Sequence, residues 1–207
     1  MRLKEVKSVL EENNFSAFVV DNLAEARSIV MEELIPKIKP ESISWGGSVT
    51  FSTSGIYDDL KNSSDYKILD TYDAKLTAEE KLEKRRQALL VDLFFAGTNA
   101  VTETGKLINL DMVGNRVGAI TFGPKNVVIL VGRNKIVADV DEAILRIKQL
   151  AAPANTVRLK MKNPCLKTGY CEECKSRERI CNTWTIHEKS FPKGRINVVL
   201  INEDLGL

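Results

Sequence analysis

The sequence has 207 residues, of which 43% are hydrophobic and 28% charged, with a formal net charge of +2. This length and composition predict one globular domain with a sizeable core, and the small net charge argues against a basic nucleic-acid-binding surface. No apolar run approaches the roughly 18 residues that span a bilayer, and the N-terminus lacks the apolar segment of a signal peptide. We therefore expect a cytoplasmic protein with no membrane span and no nucleic-acid partner.

The first half of the chain alternates between helical and strand patterns. Apolar residues at helical spacing, with capping residues before them, predict helices over residues 2–13, 23–38 and 55–60 and another that begins at Thr77. Short apolar segments predict strands over residues 16–20, 42–45, 66–70 and 92–95.

The second half continues the alternation. Residues 126–132 are continuously apolar and rich in β-branched side chains, as in a parallel strand that is covered on both faces. Asp139 or Asp141 caps a helix that we expect Pro153 to end, and residues 195–201 form a final strand. Alternating strands and helices predict an α/β domain with a mostly parallel sheet.

Small residues follow the second predicted strand. Gly46 and Gly47 allow a tight turn into a helix, where backbone amides and the hydroxyls of Ser48 and Thr50 could face an anion. The alternative is a plain turn with a helix N-cap, and this short motif does not separate the two.

The segment from Gly97 to Asn109 has the composition of a site wall, because small and polar residues follow directly after an apolar strand. Ligands gather at the carboxyl ends of strands in α/β sheets, which makes Thr98 and Asn99 candidate binding residues. Glu103 is the candidate general base or nucleophile. The same residues also fit a hairpin over 101–107 that bends at Gly105, and the two interpretations are compatible.

Two further groups are candidates for the same site. Asn115 and Arg116 follow a glycine, and the arginine could hold a carboxylate or phosphate through two hydrogen bonds or could pair with a nearby acid. Asn134 and Lys135 follow the strongest strand at its carboxyl end. Arg85 and Arg86 of the preceding helix either reach the same site or are solvated, and we favour the solvated interpretation.

Four cysteines, Cys165, Cys171, Cys174 and Cys181, lie within residues 163–183, before the last strand. In a reducing compartment such a group favours a metal site over four free thiols in a loop or disulfides. Four thiolates suit Zn²⁺ or an iron–sulfur cluster equally well, so the metal stays open. The lone histidine, His187, does not suggest a catalytic triad.

Taken together, several motifs make the chain similar to a known family. The segments at residues 45–50, 97–105, 114–117, 122–124 and 132–137 resemble the LUD-domain family, also called LutC/YkgG-like or lactate utilization proteins. The cysteine segment looks like that of a cysteine-bearing subgroup. The resemblance extends from about Leu3 to Gly206.

This resemblance implies a single LUD-type α/β domain over residues 1–207, with a three-layer, Rossmann-like, mostly parallel sheet of the NagB/RpiA/CoA-transferase-like type and a Cys-rich metal-binding insertion. It implies a role in lactate or organic-acid utilization, a small anionic metabolite as ligand, and other iron–sulfur lactate-utilization subunits as partners. A homo-oligomer is left open. Asn99 stands where related sugar-phosphate isomerases carry an aspartate, which weakens an isomerase function. The alternative role is an accessory electron-transfer or scaffold subunit in which the cysteines are the working part.

Overall fold

A computed structural model of the chain describes residues 2–207 and has an α/β fold with two sheets. The helices are α1 (Arg2–Glu12), α2 (Leu23–Ser28), α3 (Ile35–Ile38), α4 (Val49–Thr53), α5 (Ile56–Asn62), α6 (Ala78–Gln87), α7 (Asn115–Thr121), α8 (Val140–Arg146), α9 (Ala152–Arg158) and α10 (Cys165–Thr168). The strands are β1 (Ser16–Val20), β2 (Ser42–Trp45), β3 (Lys67–Leu69), β4 (Leu93–Ala96), β5 (Ala100–Thr102), β6 (Leu107–Asp111), β7 (Asn126–Gly132), β8 (Ile136–Val137), β9 (Thr183–His187) and β10 (Ile196–Ile201).

The main sheet has six strands in the order β1-β10-β7-β4-β2-β3, and every neighbouring pair is parallel. Two of its interior strands, β7 and β10, are buried almost throughout, which explains their mostly apolar sequences. The predicted α/β class with a mostly parallel, Rossmann-like sheet is confirmed.

Alternate residues of the central strands enter two separate cores. Phe94 of β4 packs on the face that carries α1 and α7, whereas Leu93 and Phe95 pack on the face that carries α2, α4 and α5. This two-residue period places a helical layer on each face of the sheet. All parallel strands therefore end at one edge, where the polar turns that follow β2, β4 and β7 meet.

A second sheet, in the order β8-β5-β6-β9, lies beyond the first. Its centre is the antiparallel hairpin β5-β6, predicted from sequence, with Gly105 at φ 72° in the turn. The sequence patterns did not predict β8 or β9. β9 pairs with β6 along its whole length but is largely exposed, so it lacks the apolar signal of a buried strand.

The expected helix stop at Pro153 is wrong. The helical path continues from α8 through a π-helical segment, Ile147–Ala151, into α9, and Pro153 lies in the first turn of α9. Proline has no N–H to donate to the helix. The π-helical segment before it already departs from the α-helical hydrogen-bond pattern, so the helical path tolerates Pro153. As a result α9 extends towards the carboxyl edge of the main sheet.

Arg195, which directly precedes β10, links that strand to α7 through hydrogen bonds. Its guanidinium donates to the carbonyls of Ala119, Ile120, Phe122 and Pro124 at 2.6–3.0 Å, which satisfies the C-terminal carbonyls of α7. α7 is thereby held at the sheet with its N-terminus at the carboxyl edge. Within residues 2–207, no helix has the length and apolar character needed to cross a membrane.

Candidate functional site

A cavity of about 260 Å³ opens at the carboxyl edge of the main sheet. The turn after β2, the turn after β4, the start of α7 and the end of α9 supply its walls. Of the residues proposed from sequence, the cavity is lined by Gly47, Ser48, Thr98, Asn99, Asn115, Arg116 and Lys135. Gly46, Thr50, Glu103 and Asn134 do not line it.

The turns after β2 and β4 are in close contact at Gly97. A Cβ atom on Gly97 would lie 2.7 Å from the Ser48 hydroxyl, so glycine is needed for the two turns to meet. Ser48 Oγ accepts a hydrogen bond from the Phe51 amide at 3.1 Å and so caps α4. In the structure Ser48 is therefore a helix N-cap, which is one of the two alternatives that the sequence left open.

Most of the expected anion cradle is engaged within the protein. The Gly46 amide donates to Phe95 O at 2.9 Å, and the Ser48 amide donates to the Tyr72 hydroxyl at 3.2 Å. Tyr72 in turn donates to Gly46 O at 2.6 Å, and burial raises the pKa of its hydroxyl to about 12, so it remains protonated. Only Gly47 faces open space beside the cavity.

Arg116 is a structural tie, although sequence reasoning proposed it as a ligand for an anion. Its side chain is buried, and Nε pairs with Asp111 at 3.1 Å. The two terminal nitrogens donate to Asn99 and Asn109 side chains and to two backbone carbonyls, at 2.5–3.1 Å. Because a guanidinium has five N–H donors, none is left for a ligand.

Asp111 is the one side-chain carboxylate among the described residues that line the cavity. It accepts hydrogen bonds from the amides of Val113 and Gly114 at 3.1 and 2.9 Å and holds the turn that leads into α7. Since Arg116 pairs with it, this carboxylate adds little net negative charge to the cavity.

Lys135 is buried at the cavity wall with 5% of its surface exposed. Its Nζ donates to Thr98 O at 3.3 Å, and no acidic side chain compensates its charge. Burial first, and then the positive charges of Arg146 and Arg116, lower the pKa of this amine to about 7.

Two arginines that the sequence did not assign to the site also line the cavity. Arg85 of α6 and Arg158 of α9 form no ion pair within residues 2–207, and Arg158 donates only to Asn155 at 2.9 Å. Arg85 was interpreted as solvated because α6 is charged on all sides. Arg158 carried no sequence signal, since its helix was expected to end at Pro153.

The remaining predicted residues have other surroundings. Glu103 lies in the hairpin turn and pairs with Arg2 at 2.7 Å, with both side chains about half exposed (48% and 54%). Asn134 accepts a hydrogen bond from the Leu205 amide at 3.0 Å, and Thr50 is buried without a hydrogen-bond partner. The structure therefore does not bring Glu103 together with the Gly46–Ser48 turn.

The cysteine segment lies between α9 and β9. In the described part of the chain, no three His, Cys, Asp or Glu side chains are arranged as a metal site, and all four cysteines are free. Burial raises the pKa of the Cys181 thiol, and the nearby Cys171 and Cys174 thiols raise it further. Cys165 instead contacts the Thr156 hydroxyl at 3.6 Å. Metal binding stays a prediction.

The cysteine segment also helps to close the cavity. Ile180 is buried and lines the cavity directly before Cys181, and the Asn182 amide donates to Asp111 O at 3.0 Å. The segment was predicted as an insertion, and its position gives it contact with the candidate binding site.

Comparison with known proteins identifies relatives of this arrangement. The sequence model of the LUD domain matches residues 3–201. The crystal structure of a DUF162 family protein from Deinococcus radiodurans superposes with a TM-score of 0.54 at 13% identity, covering 97% of this chain and 95% of that one. Ribose 5-phosphate isomerase from Plasmodium falciparum gives a TM-score of 0.32 at 16% identity, covering 56% and 54%, which is too low to imply a shared fold. A comparison with curated proteins gave no match.

Proposed function

We propose a ligand-binding role for this chain, which belongs to the LUD domain family: it binds a small metabolite with a carboxylate or phosphate group. The observation that carries this proposal is the charge balance of the cavity. Arg85, Arg116, Lys135 and Arg158 line it, against the single side-chain carboxylate of Asp111. Because Asp111 pairs with Arg116, three basic side chains remain without an acidic partner.

The positions of these basic groups favour a small anion over a large polyanion. Lys135 is buried at the cavity wall, whereas Arg85 and Arg158, on two helices, are more exposed. A guanidinium can donate two parallel hydrogen bonds to a carboxylate or phosphate, so Arg85 and Arg158 suit the anionic end of the ligand. A cavity of about 260 Å³ fits a metabolite of a few carbon atoms. Membership of the LUD family supports an organic acid of lactate utilization as the natural ligand.

Replacing Arg158 with glutamine is expected to weaken anion binding about tenfold, because one charge-assisted hydrogen bond is lost at a partly solvated position. Isothermal titration calorimetry with lactate, glyoxylate and inorganic phosphate measures this change. Arg85→Gln should behave alike. Arg86→Gln is the matched control, since Arg86 is exposed, pairs with Glu83 and does not line the cavity. Equal affinities of all three variants and the parent protein would place the anion elsewhere.

The second candidate function is metal binding by the cysteine segment, as in an electron-transfer or scaffold subunit. The close spacing of Cys165, Cys171, Cys174 and Cys181 in the sequence supports it. A four-cysteine set would supply either a structural zinc site or an iron–sulfur cluster.

Anaerobically purified protein is expected to contain one metal site per chain. Metal and sulfide analysis with a visible spectrum separates zinc, which is colourless, from a cluster. Cys174→Ser should lose the metal, whereas Ser176→Ala, in the same loop, should retain it. Full-length protein that contains neither zinc nor iron after such a preparation would end this candidate.

A further inference from the structure

Lys135 has an environment that the anion-binding role does not require. A lysine that serves only as a positive charge is most effective where water or a carboxylate stabilises its ammonium form. Lys135 instead is 5% exposed, has one hydrogen bond to the Thr98 carbonyl at 3.3 Å, and has no acidic partner. Its surroundings therefore favour the neutral amine.

Neighbouring elements reinforce this preference. Arg116 of α7 and Arg146 of α8 both act on the Lys135 amine with positive charge. Arg146 is fixed by hydrogen bonds to Asn134 O and Asn99 O at 3.1 and 2.8 Å, so it cannot easily move away. Asp111 is engaged by Arg116 and does not compensate. A lysine next to other cations and out of water is the type that enzymes use as an amine nucleophile.

The chain passes close to the amine on its other side. A Cβ on Gly206 would lie 3.1 Å from Lys135 Nζ, and Gly206 has φ +65°, so only glycine fits there without strain. Lys135 is thus covered by backbone on one side and by the β4 turn on another, while the cavity is open to it. A ligand can therefore approach the amine from the cavity, which Lys135 lines.

We infer that Lys135 is a nucleophile that forms a Schiff base with a small aldehyde or ketone bearing a carboxylate or phosphate group. This inference rests on the proposed anion site, since Arg85 and Arg158 would hold the anionic end. Nζ attacks the carbonyl carbon, a C–N bond forms as the C=O π bond breaks, and a proton passes from Nζ to the carbonyl oxygen. The resulting carbinolamine loses water and leaves a C=N bond. The step is reversible and needs no oxidant or reductant.

The experiment traps this adduct in the full-length protein with sodium cyanoborohydride, which delivers hydride to the C=N carbon. Glyoxylate and glycolaldehyde phosphate are the two anionic probes, and uncharged glycolaldehyde is the comparison. We expect one added carboxymethyl or phosphoethyl group, mapped to Lys135 by peptide mass spectrometry. Labelling of Lys135 should exceed that of Lys125, whose side chain is 80% exposed, by at least about tenfold at pH 7.5.

The pH dependence separates a reactive amine from a merely buried one. The titratable and charged groups around the cavity are Tyr72, Arg85, Asp111, Arg116, Arg146 and Arg158. Labelling of Lys135 should level off above about pH 7, where its amine is already neutral. Labelling of Lys125 should keep rising to higher pH, because its ion pair with Asp92 raises its pKa.

Calorimetry with inorganic phosphate, run in parallel, separates this inference from the proposed function. Phosphate binding without labelling of Lys135 would overturn the Schiff base and leave the anion site standing. Absence of phosphate binding and of Lys135 labelling would overturn the anion site as well as the Schiff base. If uncharged glycolaldehyde labels Lys135 as fast as the anionic probes do, Lys135 is a nucleophile but the anion site is overturned. The Lys135→Met variant should take up no label in the peptide that contains position 135. The Lys125→Met variant should be labelled at Lys135 to the same extent as the parent protein.

Discussion

Replacing Arg116 with leucine is expected to lower the free energy of unfolding by about 3–5 kcal/mol, because it leaves Asp111 buried without its partner. The same change removes four hydrogen bonds, to the Gly97 and Leu110 carbonyls and to two asparagine side chains. Urea denaturation followed by circular dichroism gives the measurement. Arg133→Leu is the matched control, since the Arg133–Asp204 pair is exposed and should contribute at most about 1 kcal/mol.

A second substitution separates the two parts of this loss. In Arg116→Leu/Asp111→Asn, the uncompensated charge is gone while the asparagine oxygen can still accept from the Val113 and Gly114 amides. We expect the double variant to regain about 1–2 kcal/mol over Arg116→Leu. If Arg116→Leu costs no more than Arg133→Leu, the guanidinium is not the tie that its hydrogen bonds indicate.

Arg116→Lys is expected to resemble the leucine variant more than the parent. An ammonium keeps the charge but has three donors on a flexible stem and cannot reproduce the planar set of contacts. This distinguishes a structural arginine from one that only balances the charge of Asp111.

The fold could be predicted because its signals are local. β7 and β10 are apolar throughout since both faces of the main sheet are covered, and the hairpin around Gly105 needs only its own turn. β9 is mostly exposed and takes its pairing from β6, which lies far away in sequence, so no local pattern marked it.

The location of the site could be predicted, but the roles of its residues could not. Polar turns after parallel strands must meet at one edge, and seven of the proposed residues line the cavity there. Whether a side chain has free donors depends on contacts across the fold. Arg116 is fully engaged, whereas Arg158, which had no motif, is not.

Glu103 also shows that sequence composition does not predict the surroundings of a side chain. It is the one acid in a segment whose composition suggests a site, yet the hairpin directs it to solvent and to Arg2. Asn99, four residues earlier, lines the cavity, whereas Glu103 lies beyond β5 in the turn of the hairpin. The acid that does reach the cavity, Asp111, lies at the end of the returning strand of the same hairpin.

Lys135→Met is expected to raise stability, with a gain about 2–3 kcal/mol larger at pH 6 than at pH 9. The sign follows from proton binding. The native pKa of about 7 lies below the ordinary value of 10.5, so between these values the unfolded chain binds the proton that the native state has lost. Stability therefore rises with pH over this range, and the cost of burying the ammonium is fully present only below about pH 7.

Urea denaturation of both proteins at pH 6 and pH 9 measures this difference, and other titrations cancel between the two. Lys125→Met is the control, because the Asp92 ion pair raises the pKa of Lys125 above its ordinary value and its charge is constant over this range. A Lys135→Met variant with the same gain at both pH values would show that the amine does not titrate there. A pH-dependent gain would mean that the native chain retains a residue that costs it stability. Retention of such a residue is expected if the lysine reacts with a ligand in the cavity, and is not expected if the lysine only fills space.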